Sequence, residues 1–192
     1  AQICTPSRAS FLTGMYASSV KGCKNGASHW PEVAPLVTKL LKDSGYVCGL
    51  SGKLHLSTAM VNNPEKRPKD DGYSAFHYSH SPSQGGEKND YLVWLKKQGQ
   101  SYKGLQKLPG AKHAKLHQTT WCMDRAIDFA SRHKGRPWLF SVNMFDPHGP
   151  FNPPADYVKR FNVQKLPGPA FRQSDLAEQA KRSKVLFQTR PA

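Results

Sequence analysis

The chain of 192 residues carries 28 Lys and Arg against 13 Asp and Glu, a formal net charge of +15, and is long enough for one domain with its own core. Such an excess attracts anions (acidic glycans, anionic lipid, nucleic acid), but the basic residues are scattered, with no Lys/Arg run and no aromatic–basic ladder, so no nucleic-acid module is expected. No apolar run is long enough to span a membrane, and Cys4, Cys23, Cys48 and Cys122 form no C-x-x-C pair, which argues against structural zinc.

The first element is a helix beginning almost at the first residue. Thr5 reads as its N-cap, Pro6 as its first helical residue and Gly14 as its stop. Cys4 is then expected just outside a helix N-terminus, where free N–H groups and a partial positive charge attract anions. Arg8, about one turn in, can reach back with a fork of donors. The plain alternative is a capped surface helix with a buried free cysteine. A phosphatase-type cysteine cradle would need its arginine where this chain has Ser10.

A loop rich in small residues follows from Ala17 to Pro35. Apolar residues at 36, 37, 40 and 41 predict a helix over 36–44 with Gly45 as its stop, and 46–50 reads as a short buried strand. That strand ends in Ser51-Gly52-Lys53-Leu54-His55. Residues 62–89 read as a long polar loop containing Phe76-His77-Tyr78-Ser79-His80. A helix is expected over 90–97, and an exposed Gly- and Lys-rich stretch over 99–115. The strongest helix runs from His117 to His133, with Trp121, Met123, Ile127 and Ala130 at helical spacing and Phe129 alongside. Residues 138–145 predict a strand apolar enough to be central in a parallel sheet, running into Asp146-Pro147-His148-Gly149-Pro150-Phe151. A short helix is expected over 155–161, and irregular chain from Asn162 onward. Helix–Gly–strand succession makes the fold class α/β.

Both predicted strands end in loops that hold histidine. Ligands of open α/β sheets bind beyond the carboxyl ends of strands, so Lys53, His55, Asp146 and His148 are expected to converge on one crevice. A single loop histidine is more often exposed than catalytic. It is the joint placement after two strands that points to a site.

Three motifs carry a resemblance. Cys4, Pro6, Ser7, Arg8 and Ala9, followed by Leu12-Thr13-Gly14, resemble the signature of the type I sulfatases. Gly52-Lys53-Leu54-His55 is similar to the family's second signature, with Leu54 where tryptophan is usual. Phe145 to Phe151 resembles its third block, which Asn152-Pro153-Pro154, Tyr157 and Phe161 continue, and Tyr78-Ser79-His80 resembles a segment bordering the substrate sulfate. The resemblance implies a partial alkaline-phosphatase/sulfatase-like sandwich, with a mostly parallel central sheet flanked by helices. Residues 1–161 would be part of a catalytic domain and 162–192 an irregular continuation of it.

The resemblance also implies a chemistry. A maturation enzyme would oxidise Cys4 to formylglycine, one hydroxyl of whose hydrate attacks the sulfur of a sulfate monoester and releases the alcohol, after which the second hydroxyl loses its proton and the group collapses to the aldehyde and expels sulfate. Arg8 would hold the diol. Lys53 and His148 would stabilise the sulfate oxygens, one of them or His55 would assist proton transfer, and Ser79 and His80 would border the substrate. The substrate would be a sulfated small molecule or glycan, in a secreted, periplasmic or lysosomal setting. A calcium ion would bind Cys4 in its formylglycine form together with carboxylates outside this chain. Only Ala1-Gln2-Ile3 precede Cys4, neither Asp156 nor Asp175 is followed by Asn or His, and the Asp70-Asp71 pair lies in the wrong segment. The chain therefore reads as an internal piece with little or no activity by itself. The competing readings are a non-catalytic sulfatase-like binder of sulfated glycans or other polyanions, and a general polyanion binder, which explains none of the three motifs.

Overall fold

The computed structural model describes residues 3–59, 65–168, 170 and 172–181. Three parallel strands form a sheet in the order β2-β1-β3, with β1 at Val47–Gly52, β2 at Tyr73–Tyr78 and β3 at Trp138–Asn143. Parallel pairing puts all three carboxyl ends along one edge of the sheet. The segments that follow, from 53, from 79 and from 144, therefore leave the sheet side by side.

Side-chain alternation in β1 divides the core into two layers. Cys48 and Leu50 join Ala9, Leu12, Trp30, Leu36, Leu54, Leu56 and Tyr73 on one face. That face is covered by α1 (Cys4–Thr13), α2 (Val37–Asp43) and the connection between them, from which Val20 and Trp30 are buried. Gly49 and Ser51 turn to the other face. A β-carbon on Gly49 would stand 2.6 Å from the Phe140 ring, and the Ser51 hydroxyl donates to the carbonyl of Cys122. Here lie α3 (Asp90–Lys97) and α6 (Gln118–Arg132), with Tyr91, Leu95, Trp121 and Cys122 buried between them. Each such side chain removed from water contributes about 1.5–3 kcal/mol.

Several expectations are corrected. The α1 cap is not Thr5: the helix begins at Cys4 with Ile3 in the capping position. Asn25, from the following loop, accepts the Thr5 N–H at 2.8 Å, so an external side chain does the capping and Cys4 is the first helical residue. Gly14 does stop the helix in the left-handed region. The polar stretch 62–89 contains strand β2, whose residues Tyr73-Ser74-Ala75-Phe76-His77-Tyr78 suit a pleated, half-buried surface. Residues 62–64 of that stretch lie outside the described residues. The 99–115 segment holds α4 (Tyr102–Leu105) and α5 (Gly110–Leu116), and buries Leu105 and His113.

In α6 the buried stripe is Gln118, Trp121, Cys122 and Phe129, whereas Met123 and Ile127 are 40% and 60% exposed. Strand β3 is not central. Among the described residues β1 holds the middle and β3 an edge. Beyond Phe161, expected to be irregular, a helical turn at Val163–Lys165 and α8 (Gln173–Ala180) follow the short α7 (Ala155–Val158). Asp70 is engaged by Lys39 and Lys42, and Asp71 by Arg67. All four cysteines are free, and no described helix is long and apolar enough to cross a membrane.

Candidate active site

The site is stitched together where the three strands end. Gly52 closes β1 at φ +99°, and a β-carbon there would lie 1.9 Å from the Asn143 carbonyl oxygen, so the end of β3 approaches a position open only to glycine. The Lys53 N–H donates to that same oxygen at 2.9 Å, and the Ser79 N–H donates to the Gly52 carbonyl at 2.9 Å. From the first helix, Arg8 Nη1 donates to the Lys53 carbonyl at 2.6 Å. Four segments distant in sequence thus share one small volume, three joined by backbone hydrogen bonds and the fourth by the Arg8 side chain.

Of the expected site residues, the structure gathers Cys4, Arg8, Lys53, His55, His80 and His148. The Cys4 Sγ lies 3.9 Å from His148 Nε2, across 144 positions of sequence. Lys53 is 3% exposed, and its Nζ lies over the Phe145 ring, 5.8 Å from the centroid. The rings of His55 and His80 meet edge to face with centroids 4.5 Å apart. Ser79 is fully buried, and its hydroxyl accepts from Gln118 Nε2 at 2.9 Å. That bond ties the exit of β2 to α6, next to the His80 ring that packs on His55.

Burial of so many cationic groups sets the electrostatics. Desolvation lowers the pKa of Arg8 and of Lys53, and the neighbouring Glu65 opposes the shift in both. His55 is driven furthest, from 6.5 to about 3, by burial first and then by the charges of Lys53, His80, Arg8 and His148. At neutral pH it is an uncharged ring. His148 is oriented differently. Its Nδ1 lies 2.8 Å from the Phe145 carbonyl oxygen, which can only accept, so Nδ1 carries the hydrogen and Nε2 is the atom turned to Cys4. Asp146 anchors the same loop, accepting from the Thr119 hydroxyl at 2.6 Å.

Gln118 was not legible as a site residue. It is 1% exposed, and both ends of its amide are used. Nε2 donates to the Ser79 hydroxyl and carbonyl while Oε1 accepts the Phe145 N–H at 3.0 Å, which ties the exit of β2 to the exit of β3. The available signal was its position, since 118 lies on the apolar stripe with 121 and 122. A cavity of about 430 Å³ opens beside the loop, sharing Asp146, Pro147 and Phe151 with it and walled also by His117, Met144 and Tyr157.

Arg8, Lys53 and His148 bring N–H donors and cationic side chains close to position 4, the chemistry that a tetrahedral oxyanion calls for. Among the described residues, no three or more of His, Cys, Asp and Glu are grouped to hold a metal ion. The described residues do not by themselves build a calcium cage.

A family model described as sulfatase matches residues 1–183. An arylsulfatase of Clostridium perfringens (strain 13 / Type A) is 27% identical over 189 residues, which cover 86% of this chain and 38% of that protein. A choline-sulfatase of Rhizobium meliloti (strain 1021) is 28% identical over 165 residues, covering 78% and 30%. The chain thus spans well under half the length of these relatives. Among solved structures, a phosphonate monoester hydrolase of Silicibacter pomeroyi superposes with a TM-score of 0.69 at 22% identity, over 93% of this chain and 39% of that one. The corresponding enzyme of Agrobacterium radiobacter gives 0.67, also at 22% identity, over 92% and 38%. These likenesses establish the alkaline-phosphatase/sulfatase-like fold.

Proposed function

Because the chain belongs to the sulfatase family, we propose that its clustered residues are the core of a sulfuric-ester hydrolase site, with Cys4 the precursor of a formylglycine. The observation that supports this most is the approach of His148 Nε2 to Cys4 Sγ, with Arg8 and Lys53 beside them. Position 4 is partly exposed at the first residue of a helix, and its neighbours are cationic or neutral, which suits an anionic ester.

When present, the hydrated aldehyde would supply a hydroxyl nucleophile at position 4. The chain's own groups do the rest. The Arg8 guanidinium, held on the Lys53 carbonyl, orients the position-4 side chain. The Lys53 ammonium, poorly solvated and so electrostatically strong, takes up charge developing on a sulfate oxygen. His148 Nε2, with Nδ1 fixed on the Phe145 carbonyl, moves the proton at position 4. His55, neutral at physiological pH, does not serve as an imidazolium acid. That leaves His148 and Lys53 for the proton transfers. The cavity beside Pro147 and Phe151 offers room for the organic part of a sulfated small molecule or glycan.

The test is co-expression of the chain with a formylglycine-generating enzyme, followed by mass spectrometry of the tryptic peptide from Ala1 to Arg8 and NMR titration with inorganic sulfate. The expected results are an aldehyde-bearing peptide and sulfate-dependent shifts that Lys53→Met removes. An unmodified thiol, together with salt-sensitive binding to a sulfated glycan that survives Lys53→Met, would replace this reading with the non-catalytic binder.

A further inference from the structure

We propose that Glu65 is the positioning residue of this site: its buried carboxylate builds the turn that presents Lys53 and His55, and supplies the counter-charge for the cationic cluster. The side chain of Glu65 is 0% exposed. One carboxylate oxygen accepts the His55 N–H at 2.6 Å, and the other accepts the N–H groups of Leu56 and Ser57. Three consecutive amides can converge on one anion only if the chain curls around it. It does so at His55, whose φ of +57° is in the left-handed region that a residue with a β-carbon rarely adopts. Without an anion at its centre, this turn would leave buried N–H groups unpaired, so its conformation depends on Glu65.

A second set of bonds fixes Glu65 itself. The Ser57 hydroxyl donates to the Lys66 carbonyl at 3.1 Å and accepts the Lys66 N–H at 3.0 Å. The Glu65 N–H donates to Tyr78 Oη at 3.2 Å, which ties the turn to the end of β2. The groups facing the carboxylate come from every neighbouring segment: Arg8 from α1, Lys53 and His55 after β1, and Tyr78 and His80 at the end of β2. His80 Nδ1 lies 3.9 Å from the carboxylate. Buried cations held so close together require a buried anion, and Glu65 is placed to be it.

The bearing on catalysis rests on the sulfate reading of Lys53, but the construction of the turn does not. Glu65→Ala and Glu65→Gln both remove the charge, so the difference between them reads geometry. In Glu65→Ala the amides of His55, Leu56 and Ser57 should exchange at least about tenfold faster, while those of Leu50 and Ser51 in β1 keep their rates. Glu65→Gln offers one acceptor oxygen where there were two, so it should protect part of the turn. Its Lys53 ammonium, followed by NMR, should titrate at lower pH than in the parent. Inorganic sulfate should bind Glu65→Ala about tenfold more weakly than Glu65→Gln. Unchanged exchange at the three amides, or equal sulfate affinity in the two variants of a parent that binds sulfate, overturns the proposal. If Glu65→Ala does not fold, Glu65→Gln decides alone: full protection of all three amides with an unshifted Lys53 titration overturns it. A parent chain that binds no sulfate but shows the expected exchange pattern would remove the sulfatase reading and leave Glu65 as the builder of the turn.

Discussion

The two halves of the site are built on opposite plans. The half formed by Lys53, His55 and Ser79, with Arg8 half-buried beside them, is sunk below the surface and held by backbone hydrogen bonds among the ends of β1, β2 and β3 and by the Arg8 side chain from α1. The half carrying His148 is an exposed loop, with Phe151 76% exposed at its far end, held to the body by the Thr119–Asp146 and Gln118–Phe145 contacts. The difference suits the two tasks of the proposed hydrolysis. Binding a small anion needs cations whose positions and desolvation are fixed beforehand, since reorganisation would cost what the charges supply. Moving a proton to and from an alcohol needs access for the alcohol and for water.

The sharpest way to break the buried half is Gly52→Ala. The substitution asks alanine for φ +99° and puts a β-carbon 1.9 Å from the Asn143 carbonyl oxygen. A loss of about 4 kcal/mol or more in unfolding free energy is expected, read from denaturant unfolding. A variant as stable as the parent would show that β1 and β3 do not close on each other as described.

Acid should come next. His55 has a folded pKa of about 3 against an ordinary 6.5. Between those values the unfolded chain binds the extra proton and the folded chain does not, so stability rises with pH through that window and falls as pH drops from 6.5 toward 3. Going from pH 7 to pH 4 should cost about 3 kcal/mol at this residue. His77, His113 and His117 are also lowered by burial and act in the same direction. The check is therefore the difference between the parent and His55→Gln, whose acid sensitivity should be flatter by that amount. Equal sensitivity in the two would place His55 in solvent.

Gln118→Ala tests the link between the halves. It leaves the Ser79 hydroxyl and the Phe145 N–H without their partner in a buried region, at about 2 kcal/mol. Its distinguishing mark would be faster amide exchange at Phe145, whose N–H loses its acceptor, while the Ser79 N–H keeps the Gly52 carbonyl.

What was legible in the sequence divides along similar lines. Features enforced locally could be read. Gly14 ends its helix because the chain turns left-handed there, β1 and α6 stand out by periodicity, and the Lys53–His55 and Asp146–His148 loops fall at strand ends because parallel strands point one way. Features that depend on a distant partner could not. Thr5 looks like a cap, but Asn25 does that work from another loop. The β2 residues read as loop, since only pairing with β1 makes them a strand. The Ser79 hydroxyl is met by the Gln118 amide, which lies 39 positions away in sequence. Gln118 and Glu65 escaped notice because a lone glutamine or glutamate in sequence is usually a solvated surface residue. Only burial, visible in three dimensions, marks them as braces.

The smallest effect on stability, and the most specific to the comparison, belongs to His148→Ala. The side chain is exposed, and its bonds are one to a carbonyl of its own loop and one contact with Cys4, so unfolding free energy should change by less than about 0.5 kcal/mol. Its absence should nonetheless weaken inorganic sulfate binding, by about 1 kcal/mol for one lost hydrogen bond at an exposed position, which is roughly fivefold in Kd. Lys53→Met should show the opposite balance, with a larger loss of sulfate affinity because a desolvated charge is removed, and a stability change whose sign depends on relief of the crowded cations. If His148→Ala instead unfolded the loop end of β3, the exposed half would be structural as well, and the division of labour between an anion-holding floor and a proton-moving rim would not hold.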